Sequence, residues 1–251
     1  MNLPAPAAIT RARGIAPKPW GVPAILLSLA LPLLLWGSSL AITIAEGEPG
    51  DLSAGEVIVG LIFTIILLDG LFIVFPAAIC IWRYGLRWSD LGLRPFDRDL
   101  WWLPLVAAGG AHIGVIAYGA LLILFGADSA VPEQDIEDLF DSRAVLPMVG
   151  LATVIMAPLA EELFFRGFVF AGLIRPLGLW GAMVASGFLF GAFHVTSVDT
   201  LGLVLPFGVI GMLFAWLYHR TGSLWSSIGA HFVFNAVSFA VLASSAGRIA
   251  G

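Results

Sequence analysis

Residues 154–173 read VIMAPLAEELFFRGFVFAGL, with the adjacent glutamates Glu161 and Glu162 in the middle of the run and Arg166 four residues after the second. Hydrocarbon is the most costly place for a carboxylate, so an ionisable group at membrane depth is a candidate functional residue with a partner nearby. Two further apolar stretches carry polar groups in mid-run: FLFGAFHV with His194, and IGAHFVFNAV with His231 and Asn235. Glutamate, histidine, histidine and asparagine on three buried helices can together do hydrolytic chemistry.

The rest of the chain supports a membrane setting. Of its 251 residues 59% are hydrophobic and 12% charged, whereas a soluble domain of this size carries about 25% charged residues. The excess of apolar residues points to a bilayer. The net charge of −5 argues against nucleic acid as a partner. Cys80 is the single cysteine, which excludes an intrachain disulfide or a cysteine metal cluster, and it reads as a small buried hydrophobe. The expected organisation is a basic, Pro- and Ala-rich tail over residues 1–20, then one membrane domain over 21–251.

A membrane-spanning helix needs about 20 apolar residues. Seven segments qualify: Gly21–Ala45, Gly55–Trp82, Trp101–Gly126, Ala144–Leu173, Gly178–Val195, Leu201–Tyr218 and Ser223–Ser244. The absence of strand-like alternation argues against a barrel. The fold class is therefore all-α, a polytopic bundle of about seven transmembrane helices. Arg11, Arg13 and Lys18 in the tail, and Arg83, Arg87, Arg94 and Arg98 after the second span, put the N-terminus in the cytoplasm. Glu46, Glu48, Asp51, Asp128, Glu133 and Asp135 fall on the other side. Tryptophans, Trp20 included, gather at the expected cytoplasmic ends as an aromatic belt. In a prokaryote this is a plasma-membrane protein. The loop RYGLRWSDLGLRPFDRDL suits an interfacial segment, and SAVPEQDIEDLFDSR a short amphipathic helix.

Depth counting brings the polar groups together. At ~1.5 Å per residue from the cytoplasmic ends, Glu161 lies ~18 Å deep, His194 ~24 Å, His231 ~12 Å and Asn235 ~18 Å. Glu162 and Arg166 are i,i+4 neighbours and can pair, while Glu161 points about 100° away and is free to face a cavity. A carboxylate in apolar surroundings is a strong base and, beside a histidine, can activate water. An amide and a second imidazole can stabilise the resulting oxyanion. The plainer reading of such residues is interhelical hydrogen bonding, and it is the expected role of His112. His219 is expected at the interface, Asp69 in IILLDGLF has no assigned role, and Gly109, Gly110 and Gly114 are expected to allow close helix packing.

Three motifs in order carry a resemblance: E-E-x-x-x-R at Glu161–Arg166, F-x-x-x-H at Phe190–His194 and H-x-x-x-N at His231–Asn235. With S-D-L-G-L-R at Ser89–Arg94 upstream, they resemble the CPBP intramembrane proteases, also called the Abi family, which include type II CAAX prenyl endopeptidases. The resemblance covers residues 144–244. It implies a helical membrane bundle with a central water-accessible cavity, and an intramembrane endopeptidase in which Glu161 and His194 activate water, His231 and Asn235 stand near the substrate carbonyl, and Glu162 and Arg166 are structural. The family is named for metalloproteases, so Glu161, His194 and His231 are the ligand set if zinc or another divalent metal takes part. A metal-free glutamate and water mechanism is preferred, because three ligands on separate spans are poorly preorganised. The partners implied are membrane lipid and a peptide or membrane-protein substrate. The alternative is a catalytically silent membrane partner, an immunity or regulatory protein binding peptide on the same scaffold.

Overall fold

The computed structural model describes Ile15, residues 18–46, 53–127 and 145–249. Most of the tail and the acidic segment 129–143, with its expected amphipathic helix, lie outside the described residues. Among the described residues the secondary structure is helical throughout. Six helical runs are long and apolar enough to cross a membrane: Val22–Ala45, Gly55–Arg83, Arg98–Leu124, Leu146–Ala192, Asp199–Thr221 and Leu224–Ser244. The protein is an integral, multi-pass membrane protein.

The fourth run explains the difference between six and seven. Its 47 residues would extend about 70 Å if straight, over twice the hydrocarbon thickness. It is not straight. Pro176 removes a backbone donor, and Gly178 adopts φ 68°, ψ 176°, a conformation open to glycine. The chain reverses there: Ser186 Oγ donates to Phe165 O at 2.9 Å, and the rings of Phe165 and Phe190 meet edge to face at 5.3 Å. One helical run thus makes two antiparallel arms. We number the helices α1 (Val22–Glu46), α2 (Gly55–Arg83), α3 (Leu103–Leu124), α4 (146–177), α5 (179–192), α6 (Val204–Thr221) and α7 (Leu224–Ile249).

Arm α4 is the centre of the bundle. Phe164, Phe165, Phe168 and Phe170 are all buried on it, and Phe72 of α2 stacks on Phe164 at 4.4 Å. Helix α2 starts with a capping box, Ser53 Oγ accepting from Glu56 N at 3.3 Å and Glu56 Oε2 from Ser53 N at 2.9 Å. Helix α6 packs on α5 through glycines. A Cβ on Gly187 would lie 2.6 Å from Gly208 O, and one on Gly191 would lie 2.5 Å from Val204 O. The two backbones approach so closely that only hydrogen fits between them. Gly109, Gly110 and Gly114 do not serve this purpose, contrary to expectation. A Cβ at any of the three meets open space, because that face of α3 is exposed.

The N-terminal strap and the loop after α2 close one end of the bundle. Trp20 is buried, stacks on Phe168 at 5.4 Å and donates from Nε1 to Phe168 O at 3.0 Å. It belongs to the core rather than to an interfacial belt, whereas Trp82, Trp101 and Trp180 are exposed. Leu91 is fully buried between α4 and α7, and Gly92 at φ 103° lies under the Tyr218 ring. Leu224 N donates to Gly92 O at 2.8 Å, Tyr218 Oη to Leu91 O at 3.0 Å and Arg94 Nε to Gly222 O at 2.7 Å. Residues Ser89–Arg94 therefore lock the α6–α7 turn in place. Nearby Lys18 Nζ donates to Asp90 O, and partial burial holds the Lys18 ammonium below its ordinary pKa.

Candidate active site

The buried charges sit where α4, α5, α6 and α7 meet. Arg166 Nη1 lies 2.8 Å from Glu162 Oε1, and both side chains are wholly enclosed. Aromatic faces complete the enclosure: the guanidinium carbon of Arg166 is 4.3 Å from the Phe190 ring centre and 5.4 Å from that of Phe214. Cation–π contact stabilises a desolvated guanidinium beyond its ion pair. The paired charges make this cluster tolerable, since removing either partner would leave the other uncompensated.

His231 connects this cluster to Glu161. Its Nδ1 lies 3.1 Å from Glu162 Oε1 and its Nε2 lies 3.9 Å from Glu161 Oε2. An ionised carboxylate only accepts, so Nδ1 is the donor, and Nε2 is the edge turned to Glu161. Glu162 thus holds both Arg166 and His231. Glu161 has a side chain 17% exposed, with Oε2 buried and without a hydrogen-bond partner.

His194 closes the arm α5. Its Nδ1 lies 2.8 Å from Phe190 O. A carbonyl only accepts, so Nδ1 carries the hydrogen and Nε2 keeps its lone pair. The ring stacks on Phe207 at 4.3 Å and contacts Phe190 at 4.5 Å, and Phe190 also contacts His231 at 5.8 Å. Both histidines therefore lean on one phenylalanine. Asn235 lies one turn beyond His231 on α7, and its Nδ2 donates to Thr153 O at 2.7 Å. That bond ties α7 antiparallel to α4 and leaves one amide hydrogen of Asn235 for another acceptor.

Two features of the arrangement bear on its chemistry. The first is the metal set. Among the described residues no three His, Cys, Asp or Glu side chains are placed as ligands of one ion. His231 turns one ring nitrogen to Glu162 and stands 3.9 Å from Glu161 with the other. Glu161, His194 and His231 do not form a zinc site as arranged. The second is the cavity. A space of about 380 Å³ is lined by Ile73, Trp88, Leu93, Leu159, Leu163, Trp225 and Ile228. It is apolar and adjoins the polar cluster through Leu159 and Leu163, and none of the four polar residues lines it.

His112 has a packing role: Nδ1 bonds Ala108 O at 2.9 Å and the ring rests 4.4 Å from Phe234. Ile15 N donates to His219 Nδ1 at 3.4 Å, and Cys80 is buried as a free thiol. The residue that sequence reasoning left unplaced is Asp69. It is 5% exposed on α2, and its segment Ile65–Asp69 packs on Ala157–Glu161.

The family model described as type II CAAX prenyl endopeptidase Rce1-like matches residues 143–237, which include all six residues of the polar cluster. That part of the chain is similar to the type II CAAX prenyl endopeptidase family. Two proteins of Bacillus subtilis (strain 168) are similar to the chain. The one named "Putative membrane peptidase YdiL" is 28% identical over 102 residues, 41% of this chain and 40% of the relative. "Uncharacterized protein YpbD" is 30% identical over 134 residues, 49% of this chain and 66% of the relative. The chain thus spans less than two thirds of either relative's length. No solved structure matches it.

Proposed function

We propose that this chain is an intramembrane endopeptidase, cutting a peptide bond close to the membrane with a water activated by Glu161 and His194. The observation that carries the reading is the division between the two glutamates. Glu162 is engaged by Arg166 at 2.8 Å and His231 at 3.1 Å, while Glu161 Oε2 has no hydrogen-bond partner and faces His231 Nε2 at 3.9 Å. Both glutamates keep a buried Oε2 without a hydrogen-bond partner, but Glu162 spends its Oε1 on Arg166 and His231, and Glu161 makes no ion pair with the arginine.

The steps follow from these atoms. Water lies between Glu161 and the free Nε2 of His194. Glu161 takes a proton from the water as its oxygen bonds the carbonyl carbon. The oxyanion is met by the remaining amide hydrogen of Asn235 and by His231, whose ring Glu162 orients through Nδ1 and whose charge Glu162 compensates when both nitrogens are protonated. Glu161 then passes its proton to the leaving nitrogen as the C–N bond breaks. No step uses a serine, a cysteine or a metal ion. The substrate is a peptide or membrane protein, presented with the N-terminus of the enzyme in the cytoplasm.

The test is turnover by purified protein in lipid vesicles, using fluorogenic peptides with and without a prenyl group. Wild type should cleave in the presence of chelator and of serine- and cysteine-directed reagents. Glu161→Gln should fold and bind peptide without cleaving it. Cleavage by Glu161→Gln at the wild-type rate would end the proposal. Peptide binding without turnover in wild type would favour the silent-partner role.

A further inference from the structure

Trp36 lies in the middle of α1, about 21 Å by helical rise from Val22 at the helix start. An interfacial tryptophan sits near a helix end, where water satisfies its indole N–H. In mid-span the N–H needs a protein acceptor. Trp36 Nε1 finds one in Val195 O at 2.7 Å, 159 positions away, and its ring lies 5.7 Å from that of Phe193. One side chain of α1 therefore touches the residues on both sides of His194. Helix α1 lies outside residues 143–237, the part of the chain similar to the endopeptidase family.

His194 depends on such contacts because it stands past the end of α5. The helix runs to Ala192, and the chain then tightens: His194 N donates to Gly191 O and Val195 N to Ala192 O, both at 3.1 Å. Carbonyl groups at and beyond the last helical turn have no partner in the α-helical ladder. Val195 is 3% exposed, and a buried carbonyl left without a donor is costly. Trp36 supplies that donor. Upstream, the Phe193 ring also meets Phe72 and Phe165 edge to face at 5.7 Å. Downstream, Thr196 N and Ser197 N donate to Thr200 Oγ1 at 2.9 and 3.0 Å. The indole bond falls between these two anchors, at the residue next to the imidazole.

Resting on the peptidase reading above, we infer that Trp36 is a positioning residue for His194. Its N–H holds the Val195 carbonyl and its ring flanks Phe193, so that the His194 backbone keeps one orientation. The imidazole is then fixed at its own end by Nδ1 on Phe190 O at 2.8 Å, which leaves Nε2 for the reacting water. Trp36 acts through His194 and takes no part in the proton transfers. Helix α1 thus supports the catalytic residues as well as anchoring the chain in the membrane.

Substitution separates the donor from the ring. Trp36→Phe keeps an aromatic ring against Phe193 and removes the N–H. It should lower kcat about 10- to 100-fold with KM within about twofold, because a displaced catalytic group slows the step rather than the binding. Replacing Trp36 by 3-benzothienylalanine removes the donor and keeps the shape; it should do the same, and it serves where Trp36→Phe folds poorly. A merely structural role would lower kcat whatever stands at position 194, so the double-mutant cycle with His194→Gln decides. In that background Trp36→Phe should change the residual turnover by less than about twofold. Equal fractional losses in both backgrounds, or an unchanged kcat in a folded Trp36→Phe, would overturn the assignment. Nitrogen NMR of histidine-labelled protein in lipid nanodiscs gives a readout that needs no turnover. The ring signals of His194, identified by their loss in His194→Gln, should move in Trp36→Phe while those of His112 and His219 stay in place. Unmoved His194 signals would also refute it. A wild type that cleaves no peptide yet shows this shift would support the Trp36–His194 link and sink the peptidase reading instead.

Discussion

Helices α2 and α4 are alike in sequence and opposite in environment. Both are long, strongly apolar and interrupted by wide π-type turns, and each places a carboxylate in mid-span. Yet 11% of the most apolar stretch of α2 is buried, against 50% in the run that forms α4 and α5. Hydrophobicity cannot distinguish them, because lipid tails and a protein interior are equally apolar solvents. What distinguishes them is the amount of polar chemistry that needs enclosing. Helix α4 carries Glu161, Glu162 and Arg166, and the other elements wrap around that burden. Helix α2 carries one carboxyl group and turns only that edge inward.

The comparison breaks most readily at Glu161. Glu161→Gln should reduce turnover by about 10²- to 10⁴-fold, the usual contribution of a general base, with the thermal unfolding midpoint unchanged. Glu162→Gln should instead lower folded yield, since it leaves Arg166 and His231 with a weakened partner. If the two variants lost turnover equally while staying folded, the division of roles between adjacent glutamates would fail.

The next largest effect concerns stability. Arg166→Leu should cost about 3–5 kcal/mol by stranding the Glu162 carboxylate, and the double variant Glu162→Leu, Arg166→Leu should recover much of that loss. At Ile66 of α2, exposed to 70%, an alanine should change stability by less than about 0.5 kcal/mol. Equilibrium unfolding in mixed detergent would measure both, and equal costs at the two positions would remove the contrast between the helices.

A smaller effect tests the packing. Gly191→Ala should destabilise by about 1–3 kcal/mol, because its Cβ would meet Val204 O and the Gly208 backbone. Gly110→Ala meets open space and should be neutral or slightly stabilising, as a helical alanine usually is relative to glycine. Matching unfolding curves for the two variants would show that α5 and α6 can part without cost.

The spans were legible because an apolar run of bilayer length has few alternatives, and the hairpin turn was legible because Pro176 and Gly178 interrupt one. The clustering of Glu161, Glu162, Arg166 and His231 was foreseeable from helical rise and i,i+4 spacing. Other features were not. Gly110 and Gly191 are the same residue in similar surroundings, and only the neighbouring helix decides which one is needed. Trp20 resembles any interfacial tryptophan until Phe168, 148 positions away, supplies its acceptor. Asp69 sits in a segment that packs on Ala157–Glu161, distant in sequence, and no local spacing predicts that.

The Glu162–Arg166 bridge also bears on how the protein enters the membrane. Both charges lie on one helix, a turn apart, so they can neutralise each other before α6 or α7 has been synthesised. Each charge alone at the centre of a nascent span would oppose transfer out of the translocation channel by about 2.5–3.5 kcal/mol. Self-paired, the α4 segment can leave the channel on its own schedule and wait in the lipid for the histidines that complete it. Shifting the arginine to a position where it cannot reach Glu162 should lower the inserted fraction of the isolated segment in a glycosylation-mapping assay; equal insertion of both segments would show that the bridge matters only after assembly.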